Sequence, residues 1–319
     1  MKIVAIVQAR MGSSRLQGKV LLPIGEQSLI ALLLERVSLA QGITQIVLAT
    51  TERNIDDPLA KHVQQLGYQV VRGSEHDVLA RYIKALDETG ADVALRITGD
   101  CPLIMPELLS AALEEFLSSG VDYLSNVNPP SYPDGFDLEV FSAAALRKAA
   151  AETTEPFDRE HVTPYLRRSD HFKRANIEGA RDLSHLRLTV DEPADLEVVR
   201  KVAEHFAPDR HFTMSALMTV LDAQPELLDA NTHITRNEGA IMGSGQKLWK
   251  RAKHVIPGGN MLLSKRAEMF LPDQWPAYFD RTEGCTLWDL DGNELLDMGI
   301  MGIGTNTLGY SHPEVDAAV

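Results

Sequence analysis

Three features of the chain predict an α/β fold built on a doubly wound, mostly parallel sheet. Short apolar runs rich in β-branched residues recur at Lys2 to Ala9, Gln45 to Thr50, Tyr68 to Arg72 and Val93 to Thr98. Helical apolar spacing fills the intervals, and polar turns follow the runs at the sheet edge where such folds bind ligands.

Lys2 to Ala9 has the unbroken apolar character of a strand buried on both faces. After a Gly/Ser turn, Ser28 to Ala40 (SLIALLLERVSLA) carries a helical stripe that Gly42 stops, and Gln45 to Thr50 (QIVLAT) is the next strand. Helices over Asp57 to Leu66 and Asp77 to Thr89 bracket the third strand and lead to the fourth. The pattern then predicts a helix at Glu107 to Ser119, a strand at Asp122 to Ser125, helices at Ala143 to Thr153 and Asp158 to Arg168, a strand at Leu186 to Val190 and a helix at Pro193 to His205. Asn126 to Asp137 (NVNPPSYPDGFD) is too long for a mere connector, and such loops often carry function. After Asn231 a polar, glycine-containing stretch (THITRNEGAIMGS) and a new set of motifs place a domain boundary near residue 240, giving domains 1–240 and 241–319.

At roughly 150 residues per domain, 319 residues also suit two domains. The 44% hydrophobic and 24% charged residues are those of a soluble globular protein. A formal charge of −14, from 31 Lys and Arg against 45 Asp and Glu, repels a polyanion unless a local basic patch overrides it, so bulk nucleic-acid binding is not expected. The two cysteines, Cys101 and Cys285, lack CxxC spacing, so neither a disulfide framework nor a zinc site is expected. The apolar start is too short for a signal peptide or membrane span, which predicts a cytoplasmic protein without a membrane partner.

The first strand runs directly into Gln8-Ala9-Arg10-Met11-Gly12-Ser13-Ser14-Arg15-Leu16-Gln17-Gly18-Lys19. A Gly/Ser turn lets successive N–H groups share one concavity, and Arg10, Arg15 and Lys19 surround it with cations, as a polyphosphate requires. The spacing excludes a Walker A loop, because five residues separate Gly12 from Gly18 and Val20 follows Lys19. No G-x-G-x-x-G fingerprint occurs there either. Asp100, in TGDCPLI after the fourth strand, is a candidate Mg2+ ligand, with helix capping as the structural alternative. Asp191, in TVDEPAD, ends the Leu186 strand and could face Asp100, with capping again the alternative; Asp195 suits the first turn of the following helix.

The ordered segments VQARMGSSRLQGKVLLPIG, GSEHDVLARYIKA, LRITGDCPLI, YPDGFDLEVF, REHVTPYLR and LTVDEPADLE resemble the SpsF-type family of spore-coat and surface-polysaccharide nucleotidyltransferases. That family is related to the cytidylyltransferases that make CMP-Kdo and CMP-sialic acid, and the resemblance spans roughly residues 1 to 230. It implies a Rossmann-like nucleotide-diphospho-sugar transferase fold and transfer of CMP from CTP to an acid sugar or related hydroxyl, with pyrophosphate released. By the same resemblance Arg10, Ser13, Arg15 and Lys19 hold the triphosphate, with N–H groups around Gly12, while Asp100 and Asp191 hold Mg2+. The nucleotide side comprises Gln8, Ala9, Met11, Gly12, Ser13, Ser14, Thr50 and Thr51, with Glu52 beside them. The acceptor side comprises Asn126, Tyr132, Asp134, Asp137, Glu139, Arg159, Glu160 and His161, with Arg159 the candidate cation for an acid; the alternatives are a merely solvent-facing role for one of Asp137 and Glu139 and a structural role for His161. A homodimer is implied as well.

Further on, IPGGN, GCTLWDLDGNE and LGYSHPEV resemble the N-terminal end of class III aminotransferases, near glutamate-1-semialdehyde aminomutase. This implies a short α+β fragment of a fold-type I aminotransferase in a fusion protein. In that family the pyridoxal phosphate lysine and phosphate loop lie downstream of these motifs, so no PLP site or transaminase activity is expected in this chain alone; PLP is expected only for a longer fusion. Asp291-Gly292-Asn293 suits a hairpin turn. An EF-hand reading of Asp289-x-Asp291 fails, because Gly292 falls at position 4 and not 6. Two competing functions are a nucleotide-sugar glycosyltransferase, which would be expected to carry a DxD motif in the first domain, where none lies near Asp100, and a scaffold that oligomerises through MGIMGIGTNTLG.

Overall fold

The computed structural model describes every residue except 14, 235, 237–242, 261–265, 272–273, 299–305 and 319. Ser14, most of the expected interdomain stretch and most of the MGIMGIGTNTLG run therefore lie outside the described residues. The chain divides into two compact units, Met1–Ile234 and Thr235–Val319.

In the first unit the helix and strand signals resolve as β1 (Ile3–Gln8), α1 (Leu29–Ser38), β2 (Gln45–Thr51), α2 (Asp57–Gln65), β3 (Gln69–Gly73), α3 (Val78–Thr89), β4 (Val93–Thr98), α4 (Pro106–Ser119) and β5 (Tyr123–Ser125). The chain continues as β6 (Glu139–Ser142), α5 (Ala143–Glu152), α6 (Pro156–His161), α7 (Pro164–Arg168), β7 (Arg174–Asn176), α8 (Pro193–Phe206) and α9 (Met214–Ala223), of which β6, β7 and α9 are not among the expected elements named above. Among the described residues, seven strands form one sheet in the order β3-β2-β1-β4-β6-β5-β7. All neighbours run parallel except β6, which is antiparallel to both β4 and β5. The result is the α/β, mostly parallel architecture expected from the alternation of apolar runs and helical stripes.

Strand residues point alternately to two faces, and each face has its own apolar core. Ala5, Val7 and Ala9 pack with the apolar stripes of α1, α2, α4 and α8, whereas Val4 and Ile6 pack with α3, α5 and Leu166 of α7. Helix starts follow the capping chemistry in the sequence. Ser28 Oγ accepts from Ala31 N at 3.2 Å ahead of α1, and Asp77 Oδ1 accepts from Ala80 N at 2.8 Å ahead of α3. Parallel pairing of β1 with β2 and β4 brings their carboxyl ends to one edge, where Ala49 and Thr98 flank Gln8.

Two expectations are corrected. The Asp158 to Arg168 helix is split into α6 and α7, because Val162 takes φ +73° and Thr163 turns inward to donate to Glu139 Oε1 at 2.6 Å ahead of Pro164. Leu186 to Val190 is not a strand; it makes only an isolated bridge between Arg187 and Asp134. Its backbone is instead shared between two loops: Asp134 N donates to Leu186 O and Leu188 N to Asp134 O, while Val190 N donates to Asp100 O at 2.8 Å.

The second unit contains α10 (Ser244–Val255) and an antiparallel three-stranded sheet of β8 (Phe279–Glu283), β9 (Thr286–Asp289) and β10 (Glu294–Leu296), followed by the short α11 (Pro313–Asp316). The expected hairpin joins β9 to β10, with Gly292 at φ +80° in its turn. Asp289 caps that turn: its Oδ1 accepts from Asp291 N at 2.9 Å and Asn293 N at 2.8 Å. The carboxylate is thus occupied by its own hairpin. Among the described residues, no helix is long and apolar enough to cross a membrane.

Candidate active site

The loop after β1 folds back on itself, since Met11 O accepts from Ser13 N at 2.9 Å and from Gly18 N at 3.0 Å. Asp56 fastens it from below: its Oδ1 accepts from Met11 N at 2.6 Å, and its second oxygen takes the Thr51 hydroxyl. Thr51 is therefore a support for the loop through Asp56. Gly12 is exposed and faces open space. Arg10 lies exposed at the rim, 3.6 Å from Glu75.

Lys19 is buried and sits at the centre of the arrangement. Its Nζ donates to Asp100 Oδ2 at 3.1 Å, Asp191 Oδ1 at 2.9 Å and Val190 O at 2.7 Å. Burial alone would lower its pKa, but the two carboxylates outweigh that and raise it. Burial likewise favours protonation of Asp100, and the Lys19 charge reverses this, holding the carboxyl at about 2. Arg15 closes the same crevice, 3.0 Å from Asp191 Oδ1 and 3.8 Å from Glu192. Neither aspartate is a helix cap: α4 begins after Met105 and α8 after Glu192.

Asp100 and Asp191 therefore converge on one cation-sized position. Among the described residues there is no cluster of three or more His, Cys, Asp or Glu side chains placed for a metal. Two carboxylates fit a hard divalent cation that takes its remaining ligands from phosphate oxygens and water. Asp191 is the more heavily engaged of the two, because Arg187 Nη2 also donates to its Oδ2 at 3.0 Å.

The acceptor-side candidates are distributed differently. Asn126 latches its own loop, donating to Phe136 O at 2.8 Å and accepting from Leu138 N at 2.9 Å. Asp134 is buried and pairs with Arg187 at 2.7 Å. Glu139 is buried among Arg96, Arg167, Tyr123 and Thr163, and its carboxyl, which burial would raise, is held at about 2 by the two arginines. Arg159 pairs with Asp77 at 2.5 Å at the start of α3. Tyr132 lies half-buried beside Gly179, Asp137 is partly exposed in the same loop, Glu160 is exposed, and the His161 ring lies 4.5 Å from that of Phe157. On the nucleotide side Ala9 and Thr50 are buried. Gln8 Oε1 and Thr50 Oγ1 are buried atoms with no hydrogen-bond partner.

The cytidylyltransferase family pattern matches residues 4–234. The chain belongs to the cytidylyltransferase family. Among its relatives is the Bacillus subtilis spore coat polysaccharide biosynthesis protein SpsF, 33% identical over 232 residues, covering 70% of this chain and 95% of SpsF. A 3-deoxy-manno-octulosonate cytidylyltransferase of Hydrogenovibrio crunogenus is 30% identical over 187 residues, or 57% of this chain and 68% of that one. A solved cytidylyltransferase from Leptospira borgpetersenii is 33% identical with a TM-score of 0.69, covering 72% of this chain and 97% of that structure.

Three residues packed in or beside this candidate site have no local signal of their contacts. Asp56 lies in a polar turn, Arg187 in a run read as a strand, and Arg81 in the apolar-spaced α3. Arg81 is 2% exposed, and its Nε and Nη1 have no hydrogen-bond partner. It lies against Gly73, whose added Cβ would stand 3.2 Å from the Arg81 Cβ. Burial lowers its pKa, with the nearby Arg10 charge lowering it further and Asp56 opposing. The Gly/Ser turn with Arg10, Arg15 and Lys19 directly after the first strand is legible in the sequence, whereas these partners arise only from folding.

Proposed function

We propose that the Met1–Ile234 unit transfers a cytidylyl group from CTP to the hydroxyl of an acid sugar or related acceptor of surface-polysaccharide synthesis. The acceptor oxygen bonds to the α-phosphorus, the bond to the β-phosphate oxygen breaks, pyrophosphate leaves and the hydroxyl proton is lost. The observation that carries this reading is the convergence of Arg15, Lys19, Asp100 and Asp191, the first two carried by the same loop as the exposed Gly12. Positioning and charge neutralisation are the main demands of such an in-line displacement. Arg10, Arg15 and Lys19 would bind the triphosphate, with Lys19 exchanging carboxylate for phosphate oxygens. Asp100 and Asp191 would hold Mg2+, which when bound offsets charge on the phosphate oxygens. Gln8 Oε1 and Arg81, an unpaired acceptor and an unpaired donor group on one side of the sheet, suit the polar edge of a nucleoside.

Asp137, Tyr132, Glu160 and His161 remain the acceptor-side candidates with contact surface, while Asn126, Asp134, Glu139 and Arg159 would shape that side from within. The 241–319 segment is read as the N-terminal part of a class III aminotransferase, supported by its IPGGN, WDLDGNE and LGYSHPEV motifs and by the β9–β10 hairpin. Pyrophosphate release by the purified chain with Mg2+ and each of the four nucleoside triphosphates, against a panel of acid sugars, tests the proposal. Release with CTP and one acceptor is the expected result. Silence throughout, with no CTP-induced thermal shift, overturns it.

A further inference from the structure

Arg187 connects parts of the site that are far apart in the chain. Its side chain is 6% exposed, and it faces three carboxylates at once. Nε donates to Asp195 Oδ1 at 2.8 Å and Nη2 to Asp195 Oδ2 at 2.9 Å, which closes the start of α8. Those two bonds would suffice for a structural anchor. The guanidinium goes further, with Nη1 donating to Asp134 Oδ2 at 2.7 Å and Nη2 to Asp191 Oδ2 at 3.0 Å. Asp134 belongs to the 126–137 loop, and Asp191 to the crevice.

Asp191 is consequently held from two sides. Asp195 Oδ2 accepts from Asp191 N at 2.9 Å, fixing its backbone, while Arg187 holds Oδ2 of its side chain. The remaining oxygen, Oδ1, is the one that meets Lys19 and Arg15. Gly135 makes the joint close: an added Cβ would stand 2.5 Å from Thr189 N. The planar guanidinium makes four hydrogen bonds to the three carboxylates, one more than the three donors of an ammonium supply.

We propose that Arg187 is a positioning residue: one buried guanidinium grips Asp191 and Asp134 together, so that the crevice-facing carboxylate and the 126–137 loop are set by a common anchor. The inference rests on the nucleotidyl-transfer reading and concerns how Asp191 is presented to a divalent cation. Partners that orient metal ligands typically change metal affinity by about 10- to 100-fold when removed.

The test is titration of Mn2+ into the CTP-loaded full chain, with bound metal read by electron paramagnetic resonance and with melting curves and metal-free CTP affinity measured alongside. Arg187→Lys is expected to raise the Mn2+ half-saturation by about 10-fold, with metal-free CTP affinity unchanged. Asp134→Ala, which leaves Arg187 paired with Asp195 and Asp191, is expected to raise it by at least about twofold through the shared anchor. It also decides the matter should Arg187→Lys fail to fold. A folded variant of either kind with unaltered Mn2+ half-saturation overturns the proposal, even if its melting temperature falls. Wild-type protein that binds no CTP would instead overturn the nucleotidyl-transfer reading, an outcome visible before any variant is compared.

Discussion

Lys19 Nζ lies 2.9 Å from Asp191 Oδ1, joining residues 172 positions apart. With Asp100 and Val190 O as its other acceptors, all three ammonium donors are in use. The lysine stands where a cation between the two carboxylates would stand, so on the proposed reading binding of a nucleotide with its metal would require it to change partners. Replacement by methionine should weaken CTP binding by about 10-fold or more, given roughly 1.5–3 kcal/mol for a charge-assisted hydrogen bond. The same variant should bind Mn2+ more tightly without nucleotide, because the carboxylates lose their resident cation. Calorimetric titration of each ligand checks both directions, and unchanged CTP affinity would make Lys19 purely structural.

Asp100→Asn tests the other carboxylate. Loss of a carboxylate that would hold the cation offsetting the phosphate charge should lower the rate of pyrophosphate release by at least about 100-fold. Lys19 keeps Asp191 and Val190 O as partners, so the melting temperature should change little. A large fall in melting temperature with normal turnover would reverse the assignment.

Glu139 predicts acid sensitivity. Its folded-state pKa of about 2 lies below the ordinary 4.5, so the folded state favours the ionised form. Its contribution is fully present above about pH 5 and is lost as pH falls through about 4 towards 2. Glu139→Gln should cost about 3–5 kcal/mol near neutrality, because Arg96 and Arg167 are left beside an uncharged group. Urea melts of both proteins from pH 7 to pH 3 should converge as the pH falls; parallel curves would exclude Glu139 as the source.

Gly135 takes φ +105° against the 188–189 backbone. Gly135→Ala adds a methyl where Leu188 O is 2.7 Å away and imposes a backbone conformation unfavourable to alanine. It should destabilise the fold by about 1–3 kcal/mol and loosen the joint between the 126–137 loop and Asp191. A melting curve together with Mn2+ titration of the CTP complex checks this, and wild-type values in both would show that the loop yields freely.

The sequence by itself determined the strand and helix alternation from β1 to α4, the basic Gly/Ser turn directly after β1 and the place of Asp100 just beyond β4. These rest on apolar periodicity and turn chemistry, which act over a few residues and remain visible without the fold. The antiparallel placement of β6, the break at Val162 and the loss of the expected Leu186 strand were decided by what lies beside them. Asn126, Asp134 and Glu139 have residue types suited to substrate contact, yet their polar atoms are consumed by the Phe136 and Leu138 backbone, by Arg187 and by a pair of arginines. Asp56 beneath Met11, and Arg187 between Asp134 and Asp191, were equally settled by closure of the chain. A buried polar group must find a partner, but local sequence carries no record of which distant residue will be close enough when the sheet is assembled.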